Sequence, residues 1–388
     1  MTIIKTLIEK HYDSVVALRR HFHTHPELSA QEFNTQKKIM DELSALGLQP
    51  KKIAVTGVIA DLQGALPGKT VAIRADIDAL ELQDECCKSY QSQNANVCHA
   101  CGHDGHTAML IGVAKVLVEL KSELPGTVRF LFQPSEERFP GGALAMIADG
   151  ALTSVDSIIG THLWQPLSVG TIGITYGPMM ASPDEFTIKI KGKGGHAAMP
   201  HQTVDALLVG AQIAVALNTI VSRNVDPMEQ AIISLGVFKA GDTFNIIPDT
   251  ALLNGTVRSF NEKMRNTLFE RIEQITKGLC QAAGATYTLE KYLGFSPVIN
   301  NPDITAILAH AGTETLGKEN VLTIHPVMGG EDYSHYLEKV PGAFMFVGVG
   351  NEEAGIIHPQ HHPKYDIDER ALAYGMEIMT RAALALLK

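Results

Sequence analysis

The chain has 388 residues, of which 45% are hydrophobic and 19% charged, a composition that predicts a globular protein with more than one domain. Asp and Glu number 42 against 32 Lys and Arg, and the formal net charge of −10 argues against nucleic acid or an anionic membrane as partner. The five cysteines, with Cys86 and Cys87 adjacent, argue against a disulfide framework and favour a reducing, cytoplasmic setting.

Helical and strand patterns alternate through the first 180 residues. The amino-terminal segment lacks a continuous apolar core, and no apolar run reaches the roughly 20 residues that span a bilayer, so we expect neither a signal peptide nor a membrane span. The spacing of apolar residues predicts helices over 4–24, 32–46, 107–120 and 141–148, and strands over 55–62, 70–75, 126–132 and 157–162. This alternation predicts an α/β sheet covered by helices.

The pattern changes after Pro178. Strands are predicted near 185–191, 231–238 and 251–259, with helices over 203–221 and 263–283, which suggests a four-stranded, two-helix α+β unit that ends near Leu293. A buried strand at 344–347 and a final helix over 369–387 then return to the pattern of the first 180 residues.

Side chains that bind transition metals lie in several distant loops. Cys101 and His103 directly precede the apolar helix that begins near 107, and Glu136 and Glu137 follow a predicted strand. His162 ends another strand, and His361 lies in a His-rich loop near the carboxyl terminus. Thiolate, imidazole and carboxylate groups bind borderline metals, and such a scattered set is typical of an open catalytic site.

The position of His361 constrains the domain organisation. If this residue joins the other candidate ligands, the two outer segments must form one domain. We therefore predict a discontinuous α/β domain from residues 1–180 and 294–388, with an α+β domain, residues 181–293, inserted into it.

Other interpretations of these motifs fit less well. Gly192–Ala197 loosely matches a dinucleotide fingerprint, but Pro200 separates its glycines from the next helix. Cys98 and Cys101 have the spacing of a redox pair, although His103 makes ligation the better interpretation. A non-catalytic protein whose fold is stabilised by metal would have no need of Glu136.

Taken together, the motifs resemble a known family along essentially the whole chain. The set that carries the resemblance is Arg74–Leu80, Cys101–His106, Glu136–Glu137, His162–Trp164, Gly194–His201 and His361–Pro363. In this order they resemble the aminoacylase and hippurate-hydrolase branch of the dinuclear metallopeptidase family. Peptidase branches have a His and a bridging Asp where this chain has Asp76 and Cys101, which favours the amidohydrolase branch over a dipeptidase or carboxypeptidase with the same metal centre.

The resemblance implies a metallopeptidase-like α/β catalytic domain with an inserted α+β lid or dimerisation domain, two divalent ions (Zn, Mn, Co or Ni) and a homodimer or higher oligomer. The substrate would be a small N-acyl amino acid. The implied metal ligands are Cys101, His103, Glu137, His162 and His361. Glu136 would be the general base and His196 a lid histidine that meets the substrate, while Asn245 and Arg258 would hold its carboxylate. Asp76 and Asp78 would lie behind the ligands and orient them.

Overall fold

The computed structural model describes residues 3–388. Its α-helices are α1 Ile3–Thr24, α2 Phe33–Ala45, α3 His103–Glu119, α4 Ala143–Ala148, α5 Ala206–Asn224, α6 Glu262–Ala283, α7 Pro302–Leu316, α8 Ser334–Leu337 and α9 Arg370–Leu386. Short 3-10 helices cover Pro200–Gln202 and Lys318–Asn320. The sequence analysis missed α7, which begins at an Asn301 cap and carries Pro302 in its first turn.

The strands follow in chain order. They are β1 Lys51–Ile53, β2 Gly57–Gln63, β3 Leu66–Asp76, β4 Pro125–Gln133, β5 Ser157–Ser168, β6 Ile172–Ile174, β7 Pro178–Met180, β8 Ser182–Lys191, β9 Gly195–His196, β10 Ala231–Lys239, β11 Ile246–Ile247, β12 Thr250–Ser259, β13 Thr286–Tyr292, β14 Val298–Ile299, β15 Val321–Thr323 and β16 Gly342–Gly350.

The chain divides into two compact units with different bounds from those predicted. The larger unit comprises Met1–Met179, Ile299–His325 and Asp332–Lys388, and the smaller one Met180–Val298 and Pro326–Glu331. The second boundary therefore lies five residues after the predicted position of 293/294. The segment 326–331 joins the smaller unit because the Ala181 amide donates hydrogen bonds to the carbonyls of Val327 and Gly329.

The larger unit is built on an eight-stranded sheet in the order β1-β2-β4-β3-β5-β16-β6-β15. The four central strands β4, β3, β5 and β16 run parallel to one another, whereas β2 and β6 on either side of them pair antiparallel. The last six residues of β3 and all of β16 are buried, as expected for parallel strands with helices on both faces. Helix α3 is buried along most of its length and packs against α1 and α9. The predicted α/β fold is confirmed.

The smaller unit is an antiparallel sheet with two helices. Its strands follow the order β10-β12-β8-β13, and burial alternates along β12 as expected for a sheet with one face covered. Helices α5 and α6 pack against this sheet through residues such as Ile213, Leu217 and Leu268. The buried Arg265 of α6 pairs with Asp184 of β8, with Nε 2.8 Å from Oδ2.

Helix α5 corrects one expectation. With 19 residues, it is long and apolar enough by composition to cross a membrane. A helix is predicted over 203–221, but a span is not, because Gln212 and Asn218 interrupt the apolar run without making the helix polar on average. One face of α5, including Val209, Ile213 and Ile220, is buried in the smaller unit.

Candidate metal centre

Adjacent parallel strands bring the candidate site residues of the larger unit to one edge of its sheet. Strand β3 ends at Asp76, β4 leads into Glu136 and Glu137, and β5 carries His162. The carboxyl ends of parallel strands form the usual binding edge of an open α/β sheet. Cys101 lies just before α3, and His103 is its first residue.

Five candidate ligands converge there, and we call them the metal cradle: Cys101, His103, Glu137, His162 and His361. Cys101 Sγ lies 3.4 Å from His162 Nε2, and His361 Nε2 lies 3.3 Å from Glu137 Oε1. His103 Nε2 is 3.9 Å from the same Glu137 oxygen. Two groups of metal-ligand spacing, Cys101–His103–His162 and Cys101–Glu137–His361, share Cys101. Cys101 is therefore the donor common to both groups.

Backbone carbonyls orient two of the imidazoles. His103 Nδ1 lies 2.9 Å from the Asp78 carbonyl, and His162 Nδ1 lies 2.8 Å from the Leu163 carbonyl. Since a carbonyl can only accept, each Nδ1 carries a proton, and each Nε2 is the atom left to bind a metal. In the neutral His162 this Nε2 holds the lone pair, whereas His103 must first release the proton on its Nε2. This outer hydrogen bond is typical of metal-binding histidines.

Two buried atoms of the cradle have no hydrogen-bond partner. They are His103 Nε2 and Glu137 Oε1. Buried polar atoms are almost always paired, because leaving one unpaired costs about 1–3 kcal/mol. A divalent cation between these atoms would satisfy both, so the residues fit a metal.

The electrostatics of the cradle favour a positive charge. Burial disfavours protonation of His103, but the carboxylates of Asp76 and Asp78 outweigh it and raise its pKa to about 10. Burial and the carboxylates of Glu137 and Glu136 raise the pKa of the Cys101 thiol well above its usual range. Burial, with the neighbouring His106, lowers the pKa of His162, so this imidazole is neutral. A bound cation would neutralise the carboxylates and favour the Cys101 thiolate.

The adjacent His361 and His362 differ in whether their side chains face the metal cradle. His361 faces Glu137 from a backbone with φ of 63°, and its amide donates to the Ala100 carbonyl at 2.7 Å. His362 instead stacks on His358 with ring centroids 4.2 Å apart, and its Nδ1 accepts from the Lys364 amide. The structure thus brings His361, and not His362, into the cradle.

Glu136 lies beside the cradle. One carboxylate oxygen of Glu136 lies within 4.8 Å of the atoms through which His103 and Glu137 could bind a metal. The Glu136 residue is buried. A buried carboxylate next to a metal cradle can exchange protons with a reacting water.

Asp76 and Asp78 lie behind the cradle, in contact with its supports. Asp78 Oδ2 accepts from the Ser29 hydroxyl at 2.7 Å and from the Glu137 amide at 3.0 Å, so it fixes the loop that carries Glu137. Asp76 pairs with Arg74 at 2.6 Å and with His106 Nδ1 at 2.5 Å. Both carboxylates also lie near His103, at 3.7 and 3.3 Å.

Sequence reasoning assigned no role to two residues of this network, His106 and Asp332. His106 Nε2 accepts from the Leu163 amide at 2.8 Å and so links Asp76 to the middle of β5, next to His162. Asp332 accepts from Arg74 at 2.9 Å and from Gln133 at 2.8 Å. His106 could have been found from the Cys-Gly-His-Asp-Gly-His motif, but nothing in the sequence links Asp332 to Arg74.

Cys98 shows no sign of redox chemistry. Burial raises the pKa of its thiol to about 12, so at neutral pH it stays protonated and unreactive.

The remaining predicted site residues belong to the smaller unit. His196 is exposed on β9, which pairs with β11, and the Ala197 amide donates to the Asn245 carbonyl at 3.1 Å, so His196 and Asn245 are neighbours. Ala198 donates to His196 Nδ1 at 3.0 Å, which leaves Nε2 as the protonated, outward atom. Arg258 is half-buried on β12, where Nη1 donates to the Val257 carbonyl at 3.1 Å.

Comparisons with known proteins identify a family and similar structures. The profile described as "Peptidase family M20/M25/M40" matches residues 72–385. N-acyl-L-amino acid amidohydrolase of Geobacillus stearothermophilus is 50% identical over 298 residues, covering 76% of this chain and 80% of that protein. Thermostable carboxypeptidase 1 of Saccharolobus solfataricus is 38% identical over 380 residues, covering 96% and 95%. The crystal structure of Bacillus subtilis YXEP, described as a dinuclear metal binding peptidase from the M20 family, superposes with a TM-score of 0.87 at 35% identity, covering 98% and 99%.

Proposed function

We propose, for a chain that belongs to the peptidase family M20/M25/M40, the metal-dependent hydrolysis of the amide bond in N-acyl amino acids. The observation that carries the proposal is the convergence of five ligand side chains, two of them with unpaired buried atoms, next to Glu136. The relative named N-acyl-L-amino acid amidohydrolase supports the substrate class. The products would be a carboxylic acid and a free amino acid.

Two divalent ions fit the metal cradle. Cys101, His103, Glu137, His162 and His361 would hold them. The thiolate and imidazoles suit Zn, Mn, Co or Ni, and the dinuclear relative supports a pair of ions. When bound, the ions supply Lewis acidity toward the amide carbonyl and lower the pKa of a water.

Glu136 is the proposed general base and acid. It takes a proton from water as the water oxygen attacks the amide carbon, and it returns that proton to the nitrogen as the carbon–nitrogen bond breaks. Its burial beside the cradle suits this role, because a carboxylate shielded from solvent keeps the proton until it is transferred.

Three residues of the smaller unit are proposed to bind the substrate. The exposed Nε2 of His196 can donate to the oxyanion that forms at the amide carbonyl. Arg258 can pair with the amino-acid carboxylate through its planar guanidinium, and Asn245 can add a hydrogen bond to the same group.

A homodimer is also proposed. Leu208 and Val215 of α5 are 54% and 73% exposed, and β10 lies at an edge of the sheet in the smaller unit. A second copy of the chain could cover this apolar face and edge.

All five cysteines are free, which supports a cytoplasmic location.

Peptide-bond hydrolysis is the second candidate function. It is favoured by the relative named thermostable carboxypeptidase 1, which matches nearly the whole chain. Both reactions would use the same centre and Glu136, so only the substrates distinguish them.

The test is a panel of N-acetyl and N-benzoyl amino acids and unblocked dipeptides, assayed with each metal added to chelated protein. We expect the N-acyl substrates to be cleaved fastest. Glu136→Gln should keep its metal but lose at least about a hundredfold in kcat. Activity close to that of the original chain would exclude Glu136 as the base, and faster cleavage of dipeptides would favour the peptidase.

A further inference from the structure

A second cluster of metal-type donor atoms lies in the larger unit and shares no residue with the metal cradle. It consists of His23 on α1 and of Asp84 and Cys86 in the loop that follows β3. Their donor atoms all lie within 4.8 Å of one another. His23 and Asp84 are buried, and Cys86 is partly exposed, which gives an ion a way in.

The spacing of these atoms matches a tetrahedral site. His23 Nε2 lies 3.3 Å from Asp84 Oδ2, and Cys86 Sγ lies 3.6 Å from the same oxygen. In a tetrahedral zinc site, with bonds of about 2.0–2.1 Å to nitrogen and oxygen and 2.3 Å to sulfur, the corresponding separations are about 3.3 and 3.6 Å. The unbound side chains therefore already stand at ligand distances.

The His23 ring is arranged as in a metal ligand. Its Nδ1 lies 2.8 Å from Oδ2 of the buried Asp104, the carboxylate–histidine arrangement that orients an imidazole toward a metal. Its Nε2 is buried, has no hydrogen-bond partner and faces Asp84 without hydrogen-bond geometry. The nearby Arg19 guanidinium is itself neutralised by Asp104 and Asp366, both at 2.8 Å.

We propose that His23, Asp84 and Cys86 bind a borderline divalent cation such as Zn²⁺, with water as the fourth ligand. Binding displaces the proton of His23 Nε2 and that of the Cys86 thiol, so the affinity rises with pH. Without a cation, a protonated His23 between Asp104 and Asp84 fills the same space, and this is the state with which the cation competes.

The site would also affect the metal cradle. Within the same loop, the Glu85 amide donates to the Pro363 carbonyl at 2.8 Å, and Pro363 is two residues from His361. An ion held by Asp84 and Cys86 would fix this loop to α1 and thus restrain the segment that carries His361.

The test measures protection of Cys86 by zinc in full-length Cys87→Ala protein, where the adjacent exposed thiol is removed. We expect Zn²⁺ to slow alkylation of Cys86 by about tenfold or more, since a bound thiolate is not free to react. His23→Gln in the same background should abolish the protection. In parallel, Cys86→Ala should retain one zinc fewer per chain than Cys87→Ala after dialysis against buffered zinc.

Equal zinc content in these two alanine variants, or equal alkylation rates with and without zinc, would overturn the proposal. Circular dichroism of each variant shows whether it has folded. Cys101→Ala removes a ligand of the metal cradle only and is the control that separates the two sites. If the dinuclear centre does not form, the difference in zinc content between Cys86→Ala and Cys87→Ala should remain one ion per chain.

Discussion

Cys101 lies between the two ligand groups of the metal cradle and is the residue whose chemistry depends most on a cation. Its thiol is buried among carboxylates, so without a cation it stays protonated. A bound cation would stabilise the Cys101 thiolate and so displace its proton.

We therefore predict that Cys101→Ser lowers metal affinity, whereas Cys280→Ser, which alters a buried thiol of the smaller unit, does not. Affinity should also fall as pH decreases, because protons compete with the ions for the thiol. Elemental analysis after dialysis at several pH values measures both effects. The same metal content in both variants would contradict the assignment of Cys101.

Arg258 tests the recognition of a substrate carboxylate. Arg258→Ala should raise KM by about ten- to a hundredfold for N-acyl amino acids, the loss expected for a hydrogen bond between charged groups. The effect on the corresponding amides should be small, since they carry no charge. Initial rates on matched acid and amide pairs measure the difference, and an equal loss on both would assign Arg258 a structural role.

At the scale of elements, the amino-terminal cap of α6 stabilises this helix of the smaller unit. Asn261 Oδ1 accepts from the Met264 amide at 2.7 Å, and one turn further on Leu268 and Phe269 enter the core. The cap therefore fixes where the buried face of the helix begins.

Asn261→Ala should lower the free energy of unfolding by about 1 kcal/mol, the usual cost of removing such a cap. Glu270→Ala, in the exposed middle of the same helix, is the matched control and should change it by less than about 0.5 kcal/mol. Urea denaturation followed by circular dichroism compares them. If the two variants unfold alike, the cap does not determine the stability of α6.

At the scale of the whole molecule, the proposed homodimer and the proposed role of His196 can be tested together. His196→Ala should mainly reduce kcat, because a bond to the oxyanion strengthens only in the transition state. If His196 acts across a dimer interface, mixing inactive His196→Ala and Glu136→Gln chains should restore activity, since one site of each mixed dimer has both groups intact.

The control for this experiment is each variant mixed with itself. Native mass spectrometry would confirm that the subunits have exchanged. Mixed dimers without recovered activity would place His196 in the site of its own subunit or outside catalysis.

The sequence by itself determined the alternation of strands and helices and the chemical character of the site. Apolar periodicity is a local property, so helices such as α6 and strands such as β4 could be predicted within a few residues. Cys101, His103 and the Glu136–Glu137 pair could be found because they combine metal-binding chemistry with positions at the ends of such elements.

Only the tertiary structure decided how distant residues meet. The pairing of Arg74 with Asp332 and of His23 with Asp84 joins positions far apart in sequence, and no local pattern encodes such contacts. The resemblance already implied His361 as the ligand, but its position against Glu137 depends on a positive φ and on a backbone hydrogen bond to Ala100. The physical reason is that each residue type determines the chemistry of its own side chain, whereas the distances between side chains depend on how the folded chain packs.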